Sequence, residues 1–266
     1  MRSWIPLWLL ACAGCGGGST SAVDAAPGAD GGSADYPYTL SPTAPGFEVS
    51  WRSGTLDCTM SAAQMAASDA AAVTVGASTI YVGWKQVAGN NQDPFIARVD
   101  DGTVTWCIAA EAQAPDGRAY GVVWDGDATL YAVYSTDGGG SALDGHGGWL
   151  PAYGTIGSGG GPKVAVIAKH DPATGAIQRA TFVPSQLASS GKVNTLAPRA
   201  LTVIAGGAVE FLGEPAFTPL NPDRSRMCVP DSEYPRGYRV RFPADLGTPS
   251  CADTETCSLV TTPCAP

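Results

Sequence analysis

Short apolar runs recur along the chain, separated by turns rich in glycine, aspartate and proline, and this pattern predicts many short strands. One group of four predicted strands covers residues 72–75, 79–84, 94–99 and 103–106. A second group covers residues 120–124, 129–134, 163–169 and 176–182, and a looser third group covers residues 200–204, 208–213 and 238–242. Strong helical periodicity is scarce, so the sequence predicts an all-β fold.

In the first two groups the third strand leads into a turn with aspartate and glycine, at residues 100–102 and 171–175, before the last strand begins. This order resembles the repeats of bacterial β-propeller proteins. The resemblance implies a β-propeller-like fold with four or five blades, at ~40–50 residues per blade. Residues 47–51 would then form the closing strand of an incomplete first blade. A β-sandwich has the same short strands and turns and is the structural alternative.

The balance of charge limits the possible partners. The chain has a formal net charge of -9, whereas nucleic acids and anionic membrane surfaces require a clustered positive surface. No nucleic-acid partner is therefore predicted. The only late basic cluster consists of Arg236, Arg239 and Arg241. Strand alternation puts Arg239 and Arg241 on one face, which we expect to be solvated.

The first residues are typical of a secretory signal peptide. Met1 and Arg2 give a positive start, and an apolar run over residues 4–10 follows. The run is far shorter than the ~20 apolar residues that span a bilayer, so it does not predict a retained transmembrane helix. The sequence therefore predicts export from the cytoplasm.

Residues 9–15 read LLACAGC and resemble the lipobox of bacterial lipoproteins, which places small residues just before a lipid-bearing cysteine. We favour Cys15 because it leaves a signal peptide of more usual length. Cys12, preceded by Ala11, has the better lipobox and is the alternative. The resemblance implies a membrane anchor formed by a lipid such as palmitate. An ordinary signal peptide with incidental cysteines is the competing interpretation.

The resemblance also implies a location. Gram-negative lipoproteins that stay in the inner membrane tend to have aspartate directly after the lipidated cysteine, and here Gly16 or Ala13 occupies that position. Outer-membrane placement, facing the periplasm or the exterior, is the expectation.

The composition divides the chain into three segments. Residues 1–14 are the expected signal peptide and residues 15–35 a flexible tether, because residues 16–35 contain no large apolar residue except Val23. A Gly/Ser-rich tether of ~20 residues reaches roughly 25 Å. No comparable linker interrupts residues 36–266, which are therefore predicted to form a single all-β domain.

Six cysteines lie in this domain, and an oxidising compartment favours three disulfides among them. They are Cys58, Cys107, Cys228, Cys251, Cys257 and Cys264. The expected pairing is sequential, although six cysteines allow 15 connectivities. A metal site is the rival interpretation, but the domain has no CxxC spacing and its two histidines, His146 and His170, are far apart in the sequence.

Two insertions stand out by composition. Residues 137–161 are rich in glycine and are expected to form a loop between the second and third strands of one blade. Residues 214–234 are rich in proline and include Cys228, so we expect a disulfide-stapled loop.

The glycine-rich insertion is the candidate ligand loop. Its candidate residues are Asp137, Asp144, His146, Trp149 and Tyr153. The sequence lacks the Lys-Ser/Thr of a phosphate loop and the aspartate spacing of a calcium loop, so a structural loop without a bound ion is favoured. The two aromatic side chains either stack on sugar rings or fix the loop to the body, and the second interpretation is preferred.

No catalytic residue, metal or cofactor is predicted. Ser141 and Ser158 do not lie in a G-x-S-x-G nucleophile elbow. His170 ends a predicted strand and is interpreted as a turn residue, and the pairs Asp100/Asp101 and Asp125/Asp127 are explained by turn chemistry.

Together these features predict a lipid-anchored binding or interaction module of the cell envelope, with a protein or glycan as its ligand. A propeller-type hydrolase or lyase is one alternative and rests on what similar folds can host. A purely structural envelope protein is the other.

Overall fold

The computed structural model describes residues 36–89, 91–110, 116–137, 142–152, 163–229 and 235–265. The expected signal peptide, the tether, Cys12 and Cys15 lie outside these ranges, as do Ser141, Tyr153 and Ser158. Within the described ranges, no helix has the length and apolar character that a bilayer crossing requires.

The predicted all-β class is confirmed. In the described ranges there is a single short helix, α1, which covers Ala62–Ala66. The strands are Glu48–Trp51 (β1), Ala71–Val75 (β2), Ser78–Ala88 (β3), Asn91–Asp100 (β4), Thr103–Ala109 (β5), Gly117–Trp124 (β6), Leu130–Thr136 (β7), Val164–His170 (β8), Ile177–Val183 (β9), Ser185–Gln186 (β10), Val193–Asn194 (β11), Leu196–Val203 (β12), Val209–Pro215 (β13), Thr218–Pro219 (β14), Tyr238–Phe242 (β15) and Cys251–Asp253 (β16).

These strands form three large antiparallel sheets and one small sheet. The first sheet has the order β2-β3-β4-β5, the central sheet β1-β6-β7-β8-β9, and the third sheet β12-β13-β15-β16. The small sheet has the order β11-β10-β14. Each large sheet is thus built mainly from strands that follow one another along the chain, and two-residue turns join β2 to β3 and β4 to β5.

The central sheet packs between the other two. Along β6 and β7, Val122, Trp124 and Ala132 belong to a core shared with the first sheet, whereas Val123 and Val133 belong to a core shared with the third sheet. Successive side chains of a strand point to opposite faces, so both faces of this sheet are buried. Burial on both faces explains why β7 and β8 are nearly continuous apolar runs.

The outer face of the first sheet is covered by the segment before β2, which contains α1. A capping box formed by Ser61 and Gln64 starts this helix, and it buries Met65. Met65 packs in a third core with Tyr81 and Phe95 of the first sheet. This core fixes the segment that leads into β2.

The outer face of the third sheet is polar and carries the arginines that we expected to be solvated. That expectation is wrong, because Arg239 and Arg241 are largely buried and form ion pairs with Asp253 and Glu210. Residues 36–44 lie over this face, where the amide of Ser41 donates to Glu210 Oε1 at 2.7 Å. The N-terminal part of the domain therefore shields the arginines from water.

All six cysteines of the domain form disulfides, but two of the three predicted pairs are wrong. Cys58–Cys107 is confirmed, whereas the other bonds join Cys228 to Cys257 and Cys251 to Cys264. The reason is the course of the C-terminal segment, which folds back along the third sheet. The amide of Leu259 donates to Met227, near Cys228, and the amide of Ala252 donates to Thr262, near Cys264.

The predicted strand groups agree with the first two sheets, and the third sheet has a fourth strand, β16, that the sequence did not reveal. Two propeller details are not confirmed. β1 pairs with β6 in the central sheet, so it does not close a first blade. The described residues also contain no closed ring of sheets, which leaves the number of blades unconfirmed.

Candidate functional site

The tryptophan of the predicted ligand loop, Trp149, is buried against the body of the protein. Trp149 is only 2% exposed, its Nε1 donates to the carbonyl of Pro222 at 2.9 Å, and its ring lies 5.9 Å from that of Phe242. The amide of Gly148 donates to the carbonyl of Ala180 on β9. Trp149 thus fixes the described part of the loop, residues 142–152, to the body, as preferred from the sequence, and this part lies along the edge of β9.

The other candidates in the described part of the chain, Asp137, Asp144 and His146, do not form a metal site. Asp137 is fully buried, and its Oδ1 accepts a hydrogen bond from the amide of Asp116 at 2.7 Å. Nε2 of His146 lies 3.0 Å from the carbonyl of Ala142, and Asp144 is half-buried. Within the described ranges, no group of three His, Cys, Asp or Glu side chains could hold a metal ion.

His170 is a fully buried structural residue. Nδ1 lies 2.8 Å from the carbonyl of Gly175, so this nitrogen carries the proton and donates. Nε2 therefore accepts the hydrogen bond from the hydroxyl of Tyr134, at 2.9 Å. Burial lowers the pKa of His170 to about 4. Both nitrogens are used within the fold, which leaves no lone pair for proton transfer to a substrate.

A group of carboxylates at one end of the first and central sheets was not predicted. Asp93 is 8% exposed, and its Oδ1 has no hydrogen-bond partner in the part of the chain that the structure describes. Burial, reinforced by the negative charge of Asp116, raises the pKa of Asp93. Burial likewise raises the pKa of Asp116, although one of its oxygens accepts a hydrogen bond from the amide of Gln92 at 2.9 Å. These carboxylates cost stability at neutral pH.

An open groove lies where the edge strands of the three large sheets meet. It has a volume of ≈ 480 Å³ and is lined by Leu40, Ala70, Ala72, residues 49–52 and residues 199–201. These residues come from β1, β2, β12 and the segments beside them. We call this feature the edge groove.

The outer edge of β1 forms part of the edge groove. The amide of Arg52 donates to the carbonyl of Tyr120 at 2.9 Å, which sets the alternation of the ladder between β1 and β6. Ser50 accordingly pairs with β6 through main-chain hydrogen bonds, while the main-chain groups of Val49 and Trp51 point away from β6. Across the described residues, no hydrogen-bond partner is found for these outward groups.

Two cations and no acidic side chain line the edge groove. Arg52 is exposed and forms no ion pair with any residue that the structure describes. Arg199 forms an ion pair with Glu214, from Nε to Oε2 at 3.2 Å, and its guanidinium carbon lies 4.8 Å from the centre of the Tyr36 ring. In a chain with a net charge of -9, such a surface is complementary to an anion.

A second groove, of ≈ 390 Å³, lies beside the Cys228–Cys257 disulfide. It also contains two arginines, but both are engaged in the fold. Arg224 donates to the carbonyl of Trp149, and Arg226 donates to the carbonyl of Ala188. Their hydrogen bonds tie loops together, so this groove is a weaker binding candidate than the edge groove.

Comparison of the chain with protein-family models, with curated proteins and with solved structures found no match.

Proposed function

We propose that the protein is a lipid-anchored binding or interaction module of the cell envelope and that the edge groove is its contact surface. The observation that carries this proposal is the combination, in one open groove, of unbonded main-chain groups on β1 and two arginines. Arg52 forms no ion pair among the described residues, whereas Arg199 is paired with Glu214, which does not line the groove. Binding surfaces use such groups to orient and select a ligand.

The N-terminal sequence supports the proposed location in the cell envelope. A signal-like start is followed by the lipobox cysteines Cys15 and Cys12, and the domain beyond the tether contains three disulfides. Disulfides persist in oxidising compartments such as the periplasm or the cell surface. The anchor would hold the module at the outer membrane while the tether gives it reach.

We also propose that the three large sheets are blades of an incomplete propeller, with β2, β6 and β12 as their inner strands. Each begins a meander, and the three lie near one another. β1 then adds to the inner edge of the central blade. In this arrangement the edge groove corresponds to the axial region, where propellers commonly hold ligands.

A hydrolase or lyase has less support. His170 is fully buried and hydrogen-bonded through both nitrogens to Tyr134 and Gly175. Trp149, a candidate for stacking on a sugar, is buried against the body. Neither residue is available to a substrate in this arrangement.

One experiment tests the anchor. Cells that produce the protein are labelled with radioactive palmitate, and the Cys15→Ser and Cys12→Ser variants are compared with the unchanged chain. We expect Cys15→Ser to lose the label and Cys12→Ser to keep it. Labelling that survives the double substitution would contradict lipidation at either cysteine.

A second experiment tests the binding function. The full chain with Cys12→Ser and Cys15→Ser is purified without lipid and screened against arrays of glycans and of envelope proteins. We expect at least one ligand that binds in a saturable manner. A screen that returns no ligand from either array would count against a binding module and in favour of a structural envelope protein.

A further inference from the structure

We propose that the edge groove binds a partner protein through an extended acidic segment, which adds to β1 as a further strand of the central sheet. This inference rests on the proposed binding function and gives its ligand a chemical class. Strand addition at an open sheet edge is a general mode of peptide recognition, in which main-chain hydrogen bonds supply affinity and side-chain pockets supply specificity.

The outer edge of β1 presents main-chain groups without partners among the described residues. The N–H and C=O groups of Val49 and Trp51 point outward, and Val49 is 37% exposed, the side chain of an edge that is open to solvent. An open edge of this kind is a template for another strand unless the protein blocks it. β1 has no proline or lysine, and its only charged residue, Glu48, lies at its first position.

On the neighbouring edge strands, β2 and β12, some outward main-chain groups already form hydrogen bonds within the fold. On β2, the outward amide of Ala72 donates to Oγ of Ser50 at 3.1 Å. On β12, the outward carbonyl of Val203 accepts a hydrogen bond from the amide of Ala44 at 2.7 Å. An incoming segment would therefore pair with β1 rather than with β2 or β12.

The two walls of the edge groove present different side chains. The side chains of a strand added to β1 would alternate between the first-sheet wall and the third-sheet wall. The first wall presents only the small side chains Ala70 and Ala72, whereas the third wall presents Arg199, Ala200 and Leu201. Carboxylates facing the third wall would meet Arg199, and a carboxylate near the end of β1 would meet Arg52.

The occupant is therefore an extended protein segment with acidic side chains at alternate positions and no proline at the pairing positions. Main-chain pairing requires a peptide backbone, which a glycan does not have. The two arginines select against a basic segment, because like charges in contact oppose binding.

The test begins with a selection from a phage library of random peptides of about seven residues, the typical length of a strand. The target is the full chain with Cys12→Ser and Cys15→Ser. We expect the enriched peptides to be acidic, rich in β-branched residues and free of proline at their centres. Enrichment of basic or proline-rich peptides, or no enrichment at all, would overturn the proposal.

The best peptide is then titrated by fluorescence anisotropy against a matched pair of variants. Val49→Pro removes the outward N–H of β1 without removing a donor from the ladder with β6, whereas Val49→Ala shortens the same side chain and keeps the N–H. We expect Val49→Pro to weaken binding about 5- to 10-fold relative to Val49→Ala. Near-ultraviolet circular dichroism confirms that each variant is folded. Equal affinities for folded Val49→Pro and Val49→Ala would refute strand addition.

The role of charge is tested with Arg52→Gln and Arg199→Gln. Each should weaken the acidic peptide about 3- to 10-fold and reduce the dependence of its affinity on salt. Arg179→Gln is the control, because Arg179 lies on β9, at the opposite edge of the central sheet from β1. Equal effects of all three substitutions would contradict a specific role for the groove arginines.

These outcomes separate the two proposals. If the arrays identify a ligand whose binding is unaffected by Val49→Pro, Arg52→Gln and Arg199→Gln, the binding function stands and the acidic-peptide proposal fails. If the arrays identify no ligand and the phage selection also fails, both proposals fail.

Discussion

The glycine-rich loop and the edge groove differ in what each leaves available after folding. The sequence predicts the loop as the candidate ligand site. In the structure, however, Trp149 is buried against the body and the amides of Gly148 and Leu150 are hydrogen-bonded to β9. The sequence does not predict the edge groove. Among the described residues, the outward main-chain groups of Val49 and Trp51 have no hydrogen-bond partner and Arg52 has no ion pair. Groups that the fold has already satisfied have little to offer a ligand, so a site is identified by what remains unsatisfied.

The largest expected effect concerns the loop. Trp149→Ala should lower the free energy of unfolding by about 3–5 kcal/mol, because it leaves a cavity beside Phe242 and removes the hydrogen bond to Pro222. The measurement is urea denaturation followed by circular dichroism. The folded variant should bind the selected acidic peptide normally. Preserved stability together with lost binding would reverse the roles assigned to the loop and the groove.

The next effect concerns His170. Like Trp149 of the loop, this residue is buried and hydrogen-bonded within the fold. Its imidazole has an ordinary pKa of 6.5 and a folded pKa of about 4 because it is buried. Between these values the unfolded chain binds a proton that the folded chain does not. Stability should therefore fall as the pH is lowered from 6.5 to about 4, by up to about 1.4 kcal/mol per pH unit from this residue.

The direct measurement for His170 is an NMR titration of its ring protons. A transition at about pH 4 would agree with a buried neutral ring, whereas a transition near pH 6.5 would show that the ring is accessible to solvent. In unfolding experiments, His170→Gln should flatten the pH dependence of stability between these values.

A smaller effect concerns the packing of Trp51, a residue of the edge groove, against Gly121 of β6. A Cβ atom on Gly121 of β6 would lie 2.2 Å from Cε3 of Trp51, so Gly121→Ala should displace the Trp51 ring and lower stability by about 1–3 kcal/mol. It should also weaken the acidic peptide by disturbing β1. Adding Trp51→Ala should recover part of the lost stability, and a strictly additive double variant would contradict this packing.

The smallest effect has the opposite sign. Asp93 is held in a buried position where its pKa is raised, so its charge opposes folding above that pKa and the penalty disappears as the pH falls through it. Asp93→Asn should raise the free energy of unfolding slightly at pH 7, and this gain should shrink as the pH is lowered. Asp127→Asn, at an exposed turn, is the control. A destabilised Asp93→Asn variant would show that the carboxylate is satisfied after all.

Much of the fold could be predicted because strand pattern and turn chemistry are local. The turn at residues 100–102 joins β4 to β5, and Tyr238–Phe242 was predicted with the bounds that the structure has. β16 was missed because its three residues carry no apolar alternation of their own. The disulfide pairing was partly wrong because it depends on where the C-terminal segment folds back, which is a long-range property.

The edge groove could not be predicted because its walls come from four separate stretches of chain, at Leu40 and near residues 49–52, 70–72 and 199–201. The alternation of residues 47–51 did predict a strand. It could not show that β1 would be an edge strand, since that depends on its pairing with β6, about seventy residues later along the chain.

The most direct test of the groove is amide hydrogen exchange, measured by NMR with and without the selected acidic peptide. In the free protein, the amides of Val49 and Trp51 should exchange quickly, whereas that of Ser50, bonded to β6, should exchange slowly. Bound peptide should protect Val49 and Trp51 and leave Gly148 unchanged. Val49 and Trp51 amides that stay fast at saturating peptide, with new protection in residues 142–152 instead, would contradict the account.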